Sequence, residues 1–244
     1  MSAGKLKEWI AQSSPSLKAR LAGLAYLICG TAYGYADGSV RGKLVVAGDA
    51  AATARNILAN QPLYRLGFAA DMISVLGYLV VTLLLYDLFR PVSRSLSFHA
   101  AIFSICGCVV QAVSSLFHLD PLAVLSGAPY LNSFKPEQLQ SQALFFLDLR
   151  AQAMNIYMLF FACYCILLGS LILRSTFMPR IIGVFMAIAG AGYMTFLSPP
   201  LAHDLFAHVL MPAGMLGEGS LILWLLIFGV NSQRWRQQAV GAAK

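Results

Sequence analysis

Apolar residues along this chain fall into six long runs, over 21–38, 68–89, 98–117, 152–173, 181–197 and 205–230. Two longer loops and three short stretches, two of them basic, separate them. A helix needs about 20 mostly apolar residues to cross the hydrocarbon of a bilayer. All six runs are read as such spans, the first being the shortest. The pattern therefore predicts an all-α fold: a polytopic bundle of six transmembrane helices, forming a single integral membrane domain over 1–244.

The first run has Lys5, Lys7, Lys18 and Arg20 ahead of it and Gly34-Tyr35-Ala36 behind it, the outline of a signal peptide. The expectation here is a retained span. Each three-helix half would run opposite to the other, as in inverted-repeat transporters, but the halves share no residue-level similarity.

Two loops carry patterns of their own. Within 40–67, Gly48-Asp49 predicts a cap for a short helix over 50–59, which Pro62 ends. Its apolar positions Ala54, Ile57 and Leu58 predict a lid on the outer surface of the bundle. The loop 119–149 holds Pro121, Pro129 and Pro136. A further short helix is expected from Pro136, because proline suits a first helical turn. Helical spacing aligns Tyr26, Gly30, Tyr33 and Asp37 in the first run, and Gly183, Ala187, Gly190 and Met194 in the fifth. Both faces read as seams where small residues let helices approach.

Composition supports the membrane reading. The chain is 59% hydrophobic and 11% charged, with a mean hydropathy of +0.71, whereas soluble domains carry about 25% charge. A bilayer must cover that much apolar surface. The net charge of +7 sits mainly in short loops and tails. It is an orientation signal rather than a nucleic-acid patch.

One set of helix ends carries Lys5, Lys7, Lys18, Arg20, Arg90, Arg94, Arg174, Arg180, Arg234, Arg236 and Lys244. The other carries Arg41, Lys43, Arg55, Arg65, Lys135 and Arg150, mostly in the two long loops, which count less. The expected topology places both termini in the cytoplasm, in an inner or plasma membrane. Of the acids, only Glu8 and Asp87 then lie inside. Asp87 reads as an ion pair with Arg90 and Arg94, and Trp235 as an interfacial anchor. The five cysteines lie in apolar runs and suggest no disulfide framework.

The residue with the clearest chemical implication is Glu218, alone near the middle of the last run. A carboxylate in hydrocarbon is costly, so it is expected to face the bundle interior or a wet cavity. Gly217 and Gly219 flank it, with Pro212 and Gly214 one to two turns earlier, so the helix is expected to be kinked or partly unwound there. A proton-relay or cation-coupled role suits such a group. The plain alternative is a hydrogen-bonded glutamate joining two helices.

Gln111, Ser114, Ser115 and His118 share one face of the third run, with Asp120 at its exit and Asp71 at the same end of the second. Asp71, His118, His203 and His208 are ligand types that Zn²⁺ accepts. However, His203 and His208 stand five apart and miss the four-residue helical offset, so ordinary hydrogen-bonding histidines are the expectation. Cys106 with Cys108 and Cys163 with Cys165 suggest soft-metal binding, assisted by Met154 and Met158. Residues two apart on a helix face nearly opposite ways, which argues for packing.

Local patterns spread between Leu21 and Gly229 add a resemblance. They are Gly48-Asp49-Ala50-Ala51-Ala52-Thr53-Ala54-Arg55-Asn56-Ile57, Tyr64-Arg65-Leu66-Gly67 with Asp71, Ser175-Thr176-Phe177-Met178-Pro179-Arg180, Ala189-Gly190-Ala191-Gly192-Tyr193, and Gly217-Glu218 followed by Trp224-Leu225. In these the chain resembles a bacterial family of multi-pass membrane proteins classed as domain of unknown function 4386. The resemblance implies the fold and a bacterial inner-membrane setting, and no activity.

The first functional expectation is a protein that binds or transports a small solute, proton or metal ion. Glu218 would be its deep titrating residue, and Asp71, Gln111, His118 and Asn155 would line the route. The second is a metal-dependent enzyme acting on lipid at the outer leaflet through Asp71, His118, His203 and His208. The third is a structural accessory subunit whose polar residues serve as glue.

Overall fold

The computed structural model describes residues 14–242, and all regular structure in that range is helical. Lys5, Lys7, Glu8 and Lys244, which enter the orientation argument, lie outside the described residues. The long helices are α1 (Pro15–Gly34), α3 (Gln61–Phe89), α4 (Arg94–Val124), α5 (Pro136–Arg174), α6 (Arg180–Tyr193) and α7 (Pro199–Ile227). Two shorter ones are α2 (Ala50–Ala59) and α8 (Ser232–Gly241). A 3₁₀ turn, Met194–Leu197, extends α6.

Among the described residues, five helices are long and apolar enough to cross a membrane: α3, α4, α5, α6 with its 3₁₀ extension, and α7. The chain is thus a multi-pass membrane protein. The first expected span, α1, is helical but not among the five, because Lys18 and Arg20 interrupt its apolar length.

The helices outrun the apolar runs that reveal them. α4 continues through Pro121 to Val124, and α5 starts at Pro136 and runs 39 residues. The expected loop over 119–149 therefore shrinks to 125–135, and Pro136 opens a long helix rather than a separate short one. Near a helix end, proline removes only one internal bond and is tolerated. In the first half of α5, Ala143, Leu147, Arg150 and Met154 are buried at helical spacing, a stripe that favours continuation.

Two compact units are distinguished within the chain. The first takes in the described residues up to Leu27, Tyr78–Gly107, and the described residues from Met158 onward. Here α5 and α6 meet backbone to backbone. A Cβ on Gly183 would stand 2.7 Å from the Gly169 carbonyl oxygen, and one on Gly190 would stand 2.8 Å from that of Ala162. The expected seam of the fifth run is therefore a real contact. Gly30 makes no such approach, since nothing among the described residues lies within 4 Å of a Cβ built there; Gly23, two turns earlier on the same face, meets Leu225 instead.

At the other end of this unit, α8 is fastened to the chain. The Trp235 indole donates to the Leu88 carbonyl at 2.8 Å, and Gln238 Oε1 accepts from the Thr176 amide and hydroxyl, each at 3.0 Å. Trp235 thus has a protein partner besides any interfacial role. Asp87 pairs with Lys18 at 3.4 Å rather than with Arg90 or Arg94. Those two arginines follow it in sequence, but the tertiary fold brings α1 closer.

The second unit comprises Ile28–Gly77 and Cys108–Tyr157. After α1 the chain winds on through π-helical turns, Tyr35–Arg41, to Leu44. Gly48 takes a positive φ of 74° and reverses it. Asp49 then caps α2, its carboxylate accepting from the Ala52 amide at 2.8 Å. Ala54 and Ile57 are buried, Ile57 packing with Val40, Leu44, Tyr64 and Leu147, while Leu58 is exposed.

Candidate functional site

Glu218 sits in a π-helical stretch of α7, Met215–Gly219, separated from another, Phe206–Leu210, by one short α-helical turn around Pro212. The expected disruption therefore takes the form of widened turns rather than unwinding. Proline has no amide hydrogen to continue the α pattern, and single π turns accommodate the mismatch. Gly217 faces α6 so closely that a Cβ would stand 3.0 Å from the Phe185 carbonyl oxygen and from Ala189. That close approach brings the carboxylate against α6.

Both carboxylate oxygens are engaged. Tyr193, at the end of α6, donates to Oε1 at 2.9 Å, and Tyr26 of α1 donates to Oε2 at 3.0 Å. Tyr78 of α3 in turn donates to the Tyr26 hydroxyl at 3.0 Å. The result is a relay of hydroxyls running from Tyr78 through Tyr26 to the acid. Aromatic edges hold it: Tyr78 meets Tyr26, Phe161 and Tyr164 edge-on, and Phe161 packs on Tyr193. Among the described residues Glu218 has no cationic partner, so only neutral donors hold it.

The second unit holds its carboxylate differently. Arg41 grips Asp71 with both terminal nitrogens, at 2.7 and 3.1 Å, and both residues are buried. Burial opposes the charge on Arg41, but the Asp71 carboxylate outweighs it, and the guanidinium pKa lies above its ordinary value. Arg41 Nε also donates to Asp37 at 3.1 Å, one helical turn back. Arg150 of α5 is buried beside them. Its terminal nitrogens stand 3.8 Å from Asp37 and 3.9 Å from Asp71.

The remaining sequence candidates fall into place around these two centres. His118 is fully buried, stacks on Tyr64 at 4.1 Å, and lies 2.9 Å from that residue's carbonyl through Nε2. Gln111, Ser114 and Ser115 are buried on the same face, as expected; both serines donate back to the Gln111 carbonyl and Gln111 reaches Ser74 at 3.5 Å. Asn155 is half-buried. His203 and His208 are exposed on α7.

Among the described residues no three of His, Cys, Asp or Glu gather as a metal site, so Asp71, His118, His203 and His208 are not brought together as a ligand set. Asp71 is occupied by Arg41, and the histidines of α7 face outward. Among the described residues no disulfide joins the cysteines; Cys108 and Cys165 are buried and Cys106 and Cys163 half-buried, the alternation that two-residue spacing dictates.

Four residues central to this geometry carried no site expectation. Tyr26 and Tyr193 are ordinary aromatics in apolar runs, and Arg41 and Arg150 count in sequence as loop charges. A signal did exist: Arg150 lies seven residues after Ala143 and four before Met154, on the apolar stripe of α5.

No curated protein and no solved structure matches this chain. One family does, described as "Domain of unknown function (DUF4386)", over residues 21–229. That match runs from α1 through the end of α7 and takes in both centres. On its extent, the chain belongs to the family of the domain of unknown function DUF4386.

Proposed function

We propose that this protein binds a small solute or ion within the membrane and moves it across, with Glu218 as the carboxyl that exchanges a proton or cation. The observation that carries the reading is the contrast between the buried acid Asp71 and the half-buried acid Glu218. Asp71 is held by a guanidinium, and a charge so paired is costly to disturb. Among the described residues Glu218 is held by two tyrosine hydroxyls alone, so proton loss or gain breaks no ion pair there. The titratable groups that face it are Tyr26 from α1, Tyr193 from α6 and Cys165 from α5. Its place in a π-widened stretch supports the same role, since such turns concentrate at functional positions.

On this reading the chain is one integral domain of six crossings, α1 being the sixth, with both termini on the cytoplasmic side of a bacterial inner membrane. The basic residues at Arg90, Arg94, Arg174 and Arg180 support that orientation. The helix α2 would lie in an outer loop, and Asp71, Gln111, His118 and Asn155 would line the polar interior of the second unit.

The test is charge movement in proteoliposomes adsorbed on a solid-supported membrane and subjected to rapid pH steps. Wild-type protein should give a transient current. Glu218→Gln should abolish it while leaving thermal unfolding in detergent close to wild type. An undiminished current from Glu218→Gln ends the proposal.

A further inference from the structure

The charge cluster of the second unit is incompletely satisfied. Arg150 is nine-tenths buried, yet its nearest carboxylate oxygens stand 3.8 and 3.9 Å away, beyond hydrogen-bonding reach. Its Nε has no partner among the described residues, and neither has the buried Tyr64 hydroxyl, which lies within the electrostatic reach of both arginines. A desolvated guanidinium without hydrogen-bond acceptors is expensive. Asp71 does not supply them: its oxygen stands 3.9 Å from the Arg150 terminal nitrogen, and both of its oxygens are drawn to Arg41. Asp37 supplies them poorly: its side chain is 53% exposed, and its Oδ1 is shared between Arg41 Nε at 3.1 Å and Arg150.

We infer that Arg150 and Arg41 form a binding site for an oxyanion, a carboxylate or phosphate group, and that the Asp37 carboxylate stands where that group docks. The planar fork of arginine matches such groups with two parallel bonds. Two guanidinium groups face one fully committed carboxylate and one exposed, weakly held one, so an incoming anion replaces Asp37 without leaving a buried charge unpaired. Asp37 lies in the π-helical turns Tyr35–Arg41, where the backbone hydrogen bonding departs from the α pattern. The oxyanion can belong to a soluble molecule or to a lipid headgroup. The site is independent of Glu218, which belongs to the other unit.

The experiment is calorimetric titration of inorganic phosphate and of acetate into the full chain, in nanodiscs of phosphatidylcholine and in nanodiscs of phosphatidylglycerol. Saturable binding of either ion in phosphatidylcholine is expected. Arg150→Gln should weaken it by roughly tenfold or more, the loss of a charge-assisted bond. Arg150→Lys, which keeps the charge but not the fork, should fall between. Asp37→Asn should tighten binding, because it removes the internal competitor.

If a lipid headgroup is the occupant, binding of the small ions disappears in phosphatidylglycerol. The wild type then unfolds at a higher temperature there than in phosphatidylcholine, a difference that Arg150→Gln erases. If binding persists equally in both lipids, the occupant is a soluble anion. The inference is overturned if neither ion nor anionic lipid binds, if Arg150→Gln binds as well as wild type, or if Asp37→Asn weakens binding. Thermal unfolding of each variant separates lost binding from lost folding, and Asp37→Asn, at an exposed side chain, serves where the arginine variants fail to fold.

Discussion

Tyr193 and Glu218 meet across 25 residues of chain, the tyrosine hydroxyl donating to Oε1 at 2.9 Å. The contact exists because α7 presents Gly214 one turn before the acid. A Cβ there would fall on the Tyr193 hydroxyl.

Gly214→Ala should therefore cost about 1–3 kcal/mol, the usual penalty for forcing an atom into a filled site. Tyr193→Phe in the same chain should recover much of the loss, since the colliding oxygen is gone. Thermal unfolding of the single and double variants in detergent checks this. A double variant less stable than Gly214→Ala alone would show that the clash is not with the hydroxyl.

Arg41 and Asp71 form a bidentate pair out of water. Removing one partner strands the other, so Arg41→Met or Asp71→Leu alone should each cost about 3–5 kcal/mol. The double replacement should recover a large part of that, because two apolar groups leave no unpaired charge. A double-mutant cycle on unfolding free energy reads the coupling directly.

The glycines of α5 and α6 differ sharply from those of α1. Gly183→Ala and Gly190→Ala place a methyl against backbone that cannot turn aside, and each should destabilise by about 1–3 kcal/mol. Among the described residues nothing lies within 4 Å of a Cβ built on Gly30. Gly30→Ala should be neutral or stabilise by about 0.5–1 kcal/mol through the stiffer backbone. Melting temperatures of the three variants, measured side by side, give the order.

The α8 helix depends on few anchors. Trp235→Phe keeps the aromatic bulk but deletes the bond to Leu88, worth about 0.5–1.5 kcal/mol. Limited proteolysis should then cut faster near Asn231, at the start of α8, while the remainder of the protein stays resistant. Unchanged cleavage would mean that Gln238 and its bonds to Thr176 and Arg174 hold the helix without help.

How far the sequence carried depended on the kind of information each feature needs. The capped helix at Ala50 was legible because Asp49 acts on an amide three residues away. The buried face of Gln111, Ser114, Ser115 and His118 followed from helical periodicity alone. The seam at Gly183 and Gly190 was legible for the same reason, whereas on the face of Tyr26 and Gly30 the close approach falls at Gly23 and not at Gly30. Small residues permit close approach without requiring it.

Partners were where reading along the chain failed. Asp87 has arginines three and seven residues ahead, yet Lys18 holds it. Arg41 and Arg150 have the composition of loop charges, and their burial beside Asp71 depends on the turns after α1 meeting α3 and α5.

Local spacing and hydropathy were enough to establish a helical, multi-pass membrane chain, because each helix satisfies its own backbone and shows its apolar length in one dimension. The same information singled out Glu218, since a charge amid hydrocarbon needs an explanation wherever it occurs. Which hydroxyls meet that acid, and which guanidinium neutralises Asp71, could come only from the folded chain. Those contacts join residues tens to nearly two hundred positions apart, and no periodicity records a pairing across that distance.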